Sequence, residues 1–327
     1  MKRRELVLAS AAWAALAAGR AHAQSAKPPR RIAFLSPSTE AFGKPLIGAF
    51  IARLKELGYV EGRDFVIDMR WAEGRSDRFA PLARELVGLN PAVIFASTSP
   101  AAAAAKQAAG TLPIVFISVV DPVAAGFVDS FARPGRNMTG MTYRAWAMVD
   151  KSLEMLREIL PSARRVAILE QADIPNLEVA LDLFRKRFAA HGLEVEFFPV
   201  GQAGEIDEVF TRIARSKPAA VYAGARPFFV SHARQIADLS LKARLPLIAT
   251  RRPFVDAGGL LTYDNNLKDE YRRAAGYVDK ILKGAKPADL PVEEPDLFEM
   301  VINLRTAKAL GIKIPQSVLL RATEVIE

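Results

Sequence analysis

The sequence predicts an α/β protein of two similar lobes, each a doubly wound parallel sheet with helices on both faces. Three observations carry this. Apolar strand-like runs and amphipathic helix-like runs alternate with little interruption from Arg31 to Ala249, as in parallel sheets buried on both sides. The alternation runs through two cycles, separated by the turn-rich stretch Arg133-Pro134-Gly135-Arg136-Asn137. The length of 327 residues suits two domains at ~150 residues each.

In the first cycle, residues 31–36 form a short apolar run followed by an amphipathic stretch over 46–58. Residues 65–71 alternate as a strand, and Phe79, Leu82, Leu86 and Leu89 fall at helical spacing. Residues 92–96 and 114–117 read as buried strands on either side of a helix over 101–109. The second cycle places helices over 149–160, 177–190, 206–215 and 229–243. Its strands fall over 166–169, 193–198, 219–223 and 247–249. After Gly258-Gly259 come a strand over 260–263, a helix over 268–282 and a Pro/Gly-rich connector over 284–291. The tail keeps core-like residues over 298–310 and 318–326. It is too short for a third lobe and too apolar for a linker, so a return between the lobes is the economical solution.

The N-terminus reads as an export signal. Lys2, Arg3 and Arg4 precede an apolar stretch from Leu6 to Ala18, and Ala21-His22-Ala23 supplies a small-x-small cleavage pattern. The apolar run is too short to span a bilayer, which takes ~20 residues. Arg3-Arg4 leaves both the general and the twin-arginine routes open. Cleavage after Ala23 lowers the net charge from +9 to +6 and implies an extracytoplasmic, periplasmic protein. There are no cysteines, which excludes disulfides, thiolate nucleophiles, Cys-ligated metals and a lipidated N-terminal cysteine.

Ligands of parallel α/β sheets sit at the carboxyl ends of strands, against helix starts. There this chain repeatedly sets a polar residue before proline: Ser97-Thr98-Ser99-Pro100, Asp121-Pro122, Arg226-Pro227 and Arg252-Pro253. Helix capping accounts for any one of them, but four at one topological end would line a crevice. Ser97, Thr98 and Ser99 suit a carboxylate or other anion. Asp121 suits a ligand ammonium. One of Arg226, Arg251 and Arg252 is expected to meet an anionic group. Tyr263 offers a ring and a hydroxyl. Ser36, Glu170 and Gly224, at or just beyond strand ends, complete the candidate set.

Enzyme signatures are sparse. The chain has no phosphate-binding glycine loop, no dinucleotide fingerprint and no nucleophile elbow. Beyond the signal only His191 and His232 remain, both at positions where structural roles suffice, so neither a metal site nor a cofactor is expected. Basic residues are interspersed with acidic ones, unlike a nucleic-acid stripe. A carboxylate-dependent enzyme using Asp121 or Glu170 stays open as an alternative.

Several stretches resemble a known family. They are Leu57-Gly58-Tyr59-Val60-Glu61-Gly62-Arg63, Arg70-Trp71-Ala72-Glu73-Gly74, Ile114-Val115-Phe116 leading to Asp121-Pro122-Val123, and Arg133-Pro134-Gly135-Arg136-Asn137-Met138-Thr139-Gly140. Gly258-Gly259-Leu260 and the tail from Val301-Ile302-Asn303-Leu304 to Ile314-Pro315 also fit. The chain resembles the extracytoplasmic substrate-binding proteins of ABC transporters with the type 1 periplasmic-binding fold, in the subgroup that includes tryptophan- and tyrosine-binding members. The resemblance implies two lobes joined by a three-segment hinge: 30–140 plus 265–291 as the first, 141–264 plus 292–327 as the second. It implies closure on a small solute, an amino acid or carboxylate, and delivery to a membrane permease. A ligand-sensing protein of the same fold is the alternative. Two cleft-facing loops depart from the family pattern. Glu170-Gln171-Ala172-Asp173 stands where members often have Asn-Pro, and Tyr263-Asp264 where many have Tyr-Gly. The family's ligand is therefore not carried over by analogy.

Overall fold

The computed structural model describes residues 28–172 and 177–327; the signal-like segment lies outside them. The first sheet holds β1 (Arg30–Ser36), β2 (Phe65–Trp71), β3 (Val93–Ser97), β4 (Ile114–Val119) and β5 (Met138–Thr142) in the order β2-β1-β3-β4-β5. All its neighbours are parallel. Helices α1 (Glu40–Glu56), α2 (Phe79–Gly88) and α3 (Ser99–Ala109) connect its strands.

The period-2 alternation of the strands sorts their side chains between the two faces. On one face Leu35, Ala33, Ile94, Ala96 and Phe116 meet Phe79, Ala83 and Leu86 of α2 and the alanines of α3. On the other, Ile32, Phe34, Phe95 and Val115 meet Leu46, Phe50 and Leu54 of α1. The same face receives Tyr271, Ala274 and Val278 of a much later helix, α10 (Leu267–Leu282).

The second sheet is the predicted second cycle: α4 (Ala145–Ile159), β6 (Arg165–Gln171), α5 (Leu177–Ala190), β7 (Glu194–Val200), α6 (Ile206–Ser216) and β8 (Ala220–Ala223). It continues with α7 (Pro227–Ser231), α8 (Ala233–Lys242), β9 (Leu247–Ala249), α9 (Arg252–Asp256) and β10 (Leu261–Asn265). After α10 the tail adds β11 (Phe298–Asn303), α11 (Leu304–Leu310), α12 (Gln316–Leu319) and β12 (Glu324–Ile326). The order is β12-β11-β10-β9-β8-β6-β7. Two parallel-sheet α/β lobes are thus observed.

The chain passes between the sheets after β5, after β10 and before β11. These three crossings lie side by side. Thr142 N donates to Glu293 O at 3.0 Å, Glu293 N to Gly140 O at 2.9 Å, and Asn266 N to Leu297 O at 2.9 Å.

Four local expectations change. Helix α1 starts at Glu40 instead of 46, capped by Thr39, with Pro45 inside it; the proline masks the start in the sequence. Residues 138–142 belong to the first sheet as β5, although Met-Thr-Gly-Met-Thr lacks an apolar run. The expected helix over 229–243 is two helices joined at His232. Strand β11 runs antiparallel to β10, so the second sheet is mixed.

Strand β5 needs its glycine. A Cβ on Gly140 would stand 1.9 Å from the Phe116 carbonyl oxygen, and its φ is +147°. Neither atom can rotate away, since both are backbone. Gly140→Ala is expected to destabilise the protein by at least ~2–4 kcal/mol, measured by urea unfolding; a loss below ~1 kcal/mol would show that β4 and β5 separate freely.

Candidate functional site

Between the carboxyl ends of the two sheets lie two adjoining cavities of about 400 and 560 Å³. They meet at a waist lined on both sides by Thr98, Ser118, Ala225, Pro227 and Arg251. Lobe 1 supplies Thr98 and Ser118, and lobe 2 the rest.

The smaller cavity is aromatic. Trp146 of α4, Phe184 of α5, Tyr222 of β8 and Tyr143 at the first crossing line it. The rings hold one another edge-on: Trp146 and Phe184 at 5.3 Å and 69°, Phe184 and Tyr222 at 6.1 Å and 62°. The Arg187 guanidinium covers the Trp146 ring at 5.2 Å. Such pairing fixes ring positions before a solute arrives. The larger cavity is also mainly apolar, with Phe42, Leu46, Val230 and Tyr271 in its walls.

Polar groups gather at the waist. Helix α3 opens at Ser99 with Pro100 in its first turn, and Thr98 before it holds φ +103°. A threonine in that region is strained, by roughly 1–3 kcal/mol. The Thr98 Oγ1 is buried with no hydrogen-bond partner among the described residues, as is the Tyr143 hydroxyl. Burial keeps the Tyr143 phenol protonated, its pKa far above the usual value, with Thr250 beside it. Both hydroxyls are therefore unspent donors in the wall of the aromatic cavity, which the start of α3 also lines; helix starts favour negative charge.

Behind the waist is a buried charge cluster. Arg251 Nη1 donates to Asp264 Oδ1 and Oδ2 at 3.2 and 3.4 Å, and the guanidinium lies 4.5 Å from the Tyr143 ring centre. Asp264 Oδ1 also accepts from Asn265 N at 2.8 Å. Glu270 of α10 accepts from Ser118 Oγ at 2.7 Å and from Asn265 Nδ2 at 2.6 Å. Two buried carboxyls thus share one guanidinium. Burial pushes the Asp264 carboxyl up to about 7, against the pull of Arg251, and Glu270 adds to the rise. Glu270 is raised too, chiefly by burial.

The structure gathers part of the expected set. Thr98, Ser99, Glu170, Gly224, Arg226 and Arg251 line the aromatic cavity, and Ser97 lines the larger one. Glu170 is nearly fully buried, and its Oε1 accepts from Arg226 Nε at 2.8 Å. Other candidates stand elsewhere. Ser36 is buried in the sheet, its Oγ accepting from Ser38 N at 3.2 Å.

Asp121, expected to meet an ammonium, is exposed and lines neither cavity. Its Oδ1 caps a turn by accepting from Ala124 N at 2.9 Å. Arg252 turns away to Glu324 with bonds of 2.6 and 2.7 Å and to Asp256. Tyr263 stacks on Phe298 at 5.8 Å and 17° and lines neither cavity. The rings that do line the smaller cavity, Tyr143, Trp146, Phe184 and Tyr222, are not in the expected set. Ser118 was missed as well; its φ of +53° falls in the β4–β5 register shift.

On the far side of the cleft the backbone of lobe 1 at Gly74 meets the Ser231 side chain of lobe 2. A Cβ on Gly74, which has φ +76°, would stand 2.6 Å from Ser231 Oγ and 3.1 Å from Ser231 Cβ. Gly74 N donates to Pro37 O at 2.7 Å, anchoring its turn to β1.

Two α/β lobes joined by three crossings, with ligand-sized cavities between their strand ends, define a solute-binding architecture. Residues 44–326 match the model of the ABC transporter substrate binding protein family, and the chain belongs to that family. It is 25% identical over 264 residues to a tyrosine-binding protein of Clostridioides difficile strain R20291, covering 81% of this chain and 76% of that one. A Streptococcus pneumoniae ABC domain in complex with L-Trp is 26% identical with a TM-score of 0.83, covering 91% of this chain and 100% of its own. A conserved domain protein from Vibrio cholerae is 27% identical with a TM-score of 0.83, covering 90% and 99%. Among the described residues no helix is long and apolar enough to cross a membrane.

Two outcomes follow from this geometry. Asp121→Ala should cost ~1 kcal/mol of stability, as for a lost cap, and leave solute affinity unchanged in calorimetric titration; an affinity loss would place Asp121 at the solute. The second concerns pH. Asp264 goes from an ordinary 3.8 to about 7 on folding, so the folded state takes up a proton in that window. The stability this contributes is complete below pH ~4 and is lost as pH rises through ~7. Urea unfolding of Asp264→Asn and wild type should therefore diverge in the variant's favour from pH 5 to 8; parallel curves would show that Asp264 stays ionised.

Proposed function

We propose that this chain is the extracytoplasmic solute-binding component of an ABC importer. It takes a small aromatic solute bearing a carboxylate, an aromatic amino acid or related aryl acid, into the aromatic cavity between the lobes. The lobes close around it by hinge motion at the three crossings, and the closed form delivers it to a permease. The signal-like sequence up to Ala23 supports export to the periplasm.

One observation carries the reading: a ring-walled cavity whose lining also holds unspent hydroxyl donors, a helix start and Arg226. Rings accept the aryl group, and the donors accept its carboxylate. The Trp-bound and tyrosine-binding relatives support the same class of solute.

Closure is supported by the contact of Gly74 with Ser231. Lobe 1 reaches lobe 2 there only because Gly74 lacks a side chain.

A thermal-shift panel tests the solute class. Aromatic amino acids and aryl carboxylates should raise the melting temperature, and neutral sugars should not; a response to sugars alone overturns the reading. Closure has its own test. Gly74→Ala should weaken solute binding about tenfold, ~1.4 kcal/mol, by wedging the lobes apart. Adding Ser231→Gly should restore most of the affinity by removing the atoms that the new methyl meets. Without that recovery the cause is backbone strain at φ +76° and the closure contact is wrong.

A further inference from the structure

We propose that the solute occupies both cavities, passing through the waist by a secondary amide, as an aromatic amino acid N-acylated with an apolar chain would; this rests on the reading of the aromatic cavity as the solute site.

The larger cavity, about 560 Å³, exceeds the aromatic one beside it. Phe42, Leu46, Leu267 and Tyr271, all packed in an apolar cluster of the first sheet, wall it on one side. Val230 of α7 and Pro253 of α9 wall it from the second lobe. A solute held by the aromatic cavity alone leaves these walls out of contact. Lobes that close over both cavities then gain burial and dispersion from only one of them. An apolar group carried into the second cavity recovers that gain, methylene by methylene.

The waist selects the link between the two parts. Its polar residues are Thr98, Ser118 and Arg251. Ser118 Oγ donates its proton to Glu270 Oε2 at 2.7 Å, and Glu270 Oε1 accepts from Asn265 Nδ2 at 2.6 Å. Ser118 therefore meets a solute with its lone pairs, as an acceptor. Arg251 brings N–H donors and Thr98 a hydroxyl. An acceptor beside donors matches a group with an N–H beside a C=O. A secondary amide is such a group, whereas an ester has no N–H for Ser118. Ala225 and Pro227 complete the waist with small apolar side chains, which suit a flat group. In an N-acyl amino acid the same carbon bears the carboxylate and the amide nitrogen. The aryl group and carboxylate stay with the rings, the Tyr143 hydroxyl and Arg226 of the smaller cavity, and the nitrogen leads through the waist.

Calorimetric titration of the full mature chain tests this with four solutes. They are L-phenylalanine, its N-acetyl and N-hexanoyl derivatives, and (S)-2-(hexanoyloxy)-3-phenylpropanoate, the ester analogue of the last amide. The hexanoyl amide should bind roughly tenfold or more tightly than the acetyl amide, and about fivefold or more tightly than the ester. If L-phenylalanine or the acetyl amide binds and the hexanoyl chain adds nothing, this inference is overturned and the aromatic solute site stands. An ester as tight as the amide overturns the amide link. If none of the four binds, the aromatic solute site falls and this inference with it. Val230→Trp sets an indole in the larger cavity and should cut the preference for hexanoyl over acetyl to about threefold or less. A full preference retained in folded Val230→Trp protein places the chain elsewhere and overturns the inference.

Discussion

Arg251 is a guanidinium almost wholly removed from water, and the cleft is organised by what keeps it there. Several kcal/mol of desolvation per ion oppose such a burial unless the charge is matched and hydrogen-bonded. Asp264 matches it, and the face of Tyr143 covers it. These partners come from the end of β10 and from the first crossing, while Arg251 itself follows β9. One cation therefore ties the first crossing to the strand ends that frame the two cavities. A waist held in this way needs little side-chain ordering when a solute binds.

Lobe 1 reaches the cluster through a fault in its own sheet. The register between β4 and β5 shifts between Phe116 and Val119. Within that shift Ser118 adopts φ +53° and its hydroxyl meets Glu270. Thr98, at the end of the neighbouring strand, is strained in the same sense. Gly140 lets β5 approach the Phe116 carbonyl closely enough for the shifted ladder to form. The strain is thus concentrated at strand ends that line the two cavities. The apolar clusters on both sides of the sheet, built on Phe34, Phe95 and Phe116, hold the backbone that bears it.

The parts visible in the sequence are those that periodicity controls. Alternation and helical spacing give the strands, the helices and the two cycles, because burial on a sheet face imposes period 2. Direction is invisible to that signal, so the antiparallel β11 was not distinguishable from another parallel strand. The cavity rings were hidden for a similar reason. Trp146 and Phe184 sit on helices among other apolar residues and read as core, which they partly are. Tyr263 was attractive as a tyrosine at a strand end, but one step along β10 decides the face. Leu261 and Tyr263 point into the apolar cluster with Phe298, whereas Asp264 points to Arg251. The Ser97-Thr98-Ser99-Pro100 stretch lines the cavities because its information is local: a helix start after a buried strand faces the cleft whatever the rest of the chain does.

The two ends of the cleft differ in a way that bears on how it works. At the crossings, backbone hydrogen bonds, the Arg273 contacts with Glu293 and Asp296 and the Arg251 cluster bind the lobes together. At the far end a glycine of lobe 1 meets a serine of lobe 2. A ligand shifts an equilibrium only by its differential affinity for the two states. Lobes that adhered strongly by themselves would leave the solute little to decide and would retain the closed form without cargo. A small contact at the mouth and a stiff one at the hinge give the opposite balance. On the function proposed above, motion would be confined to one axis, and the free energy holding the lobes shut would come mainly from groups meeting the solute: the rings on one side, the hydroxyls and Arg226 on the other.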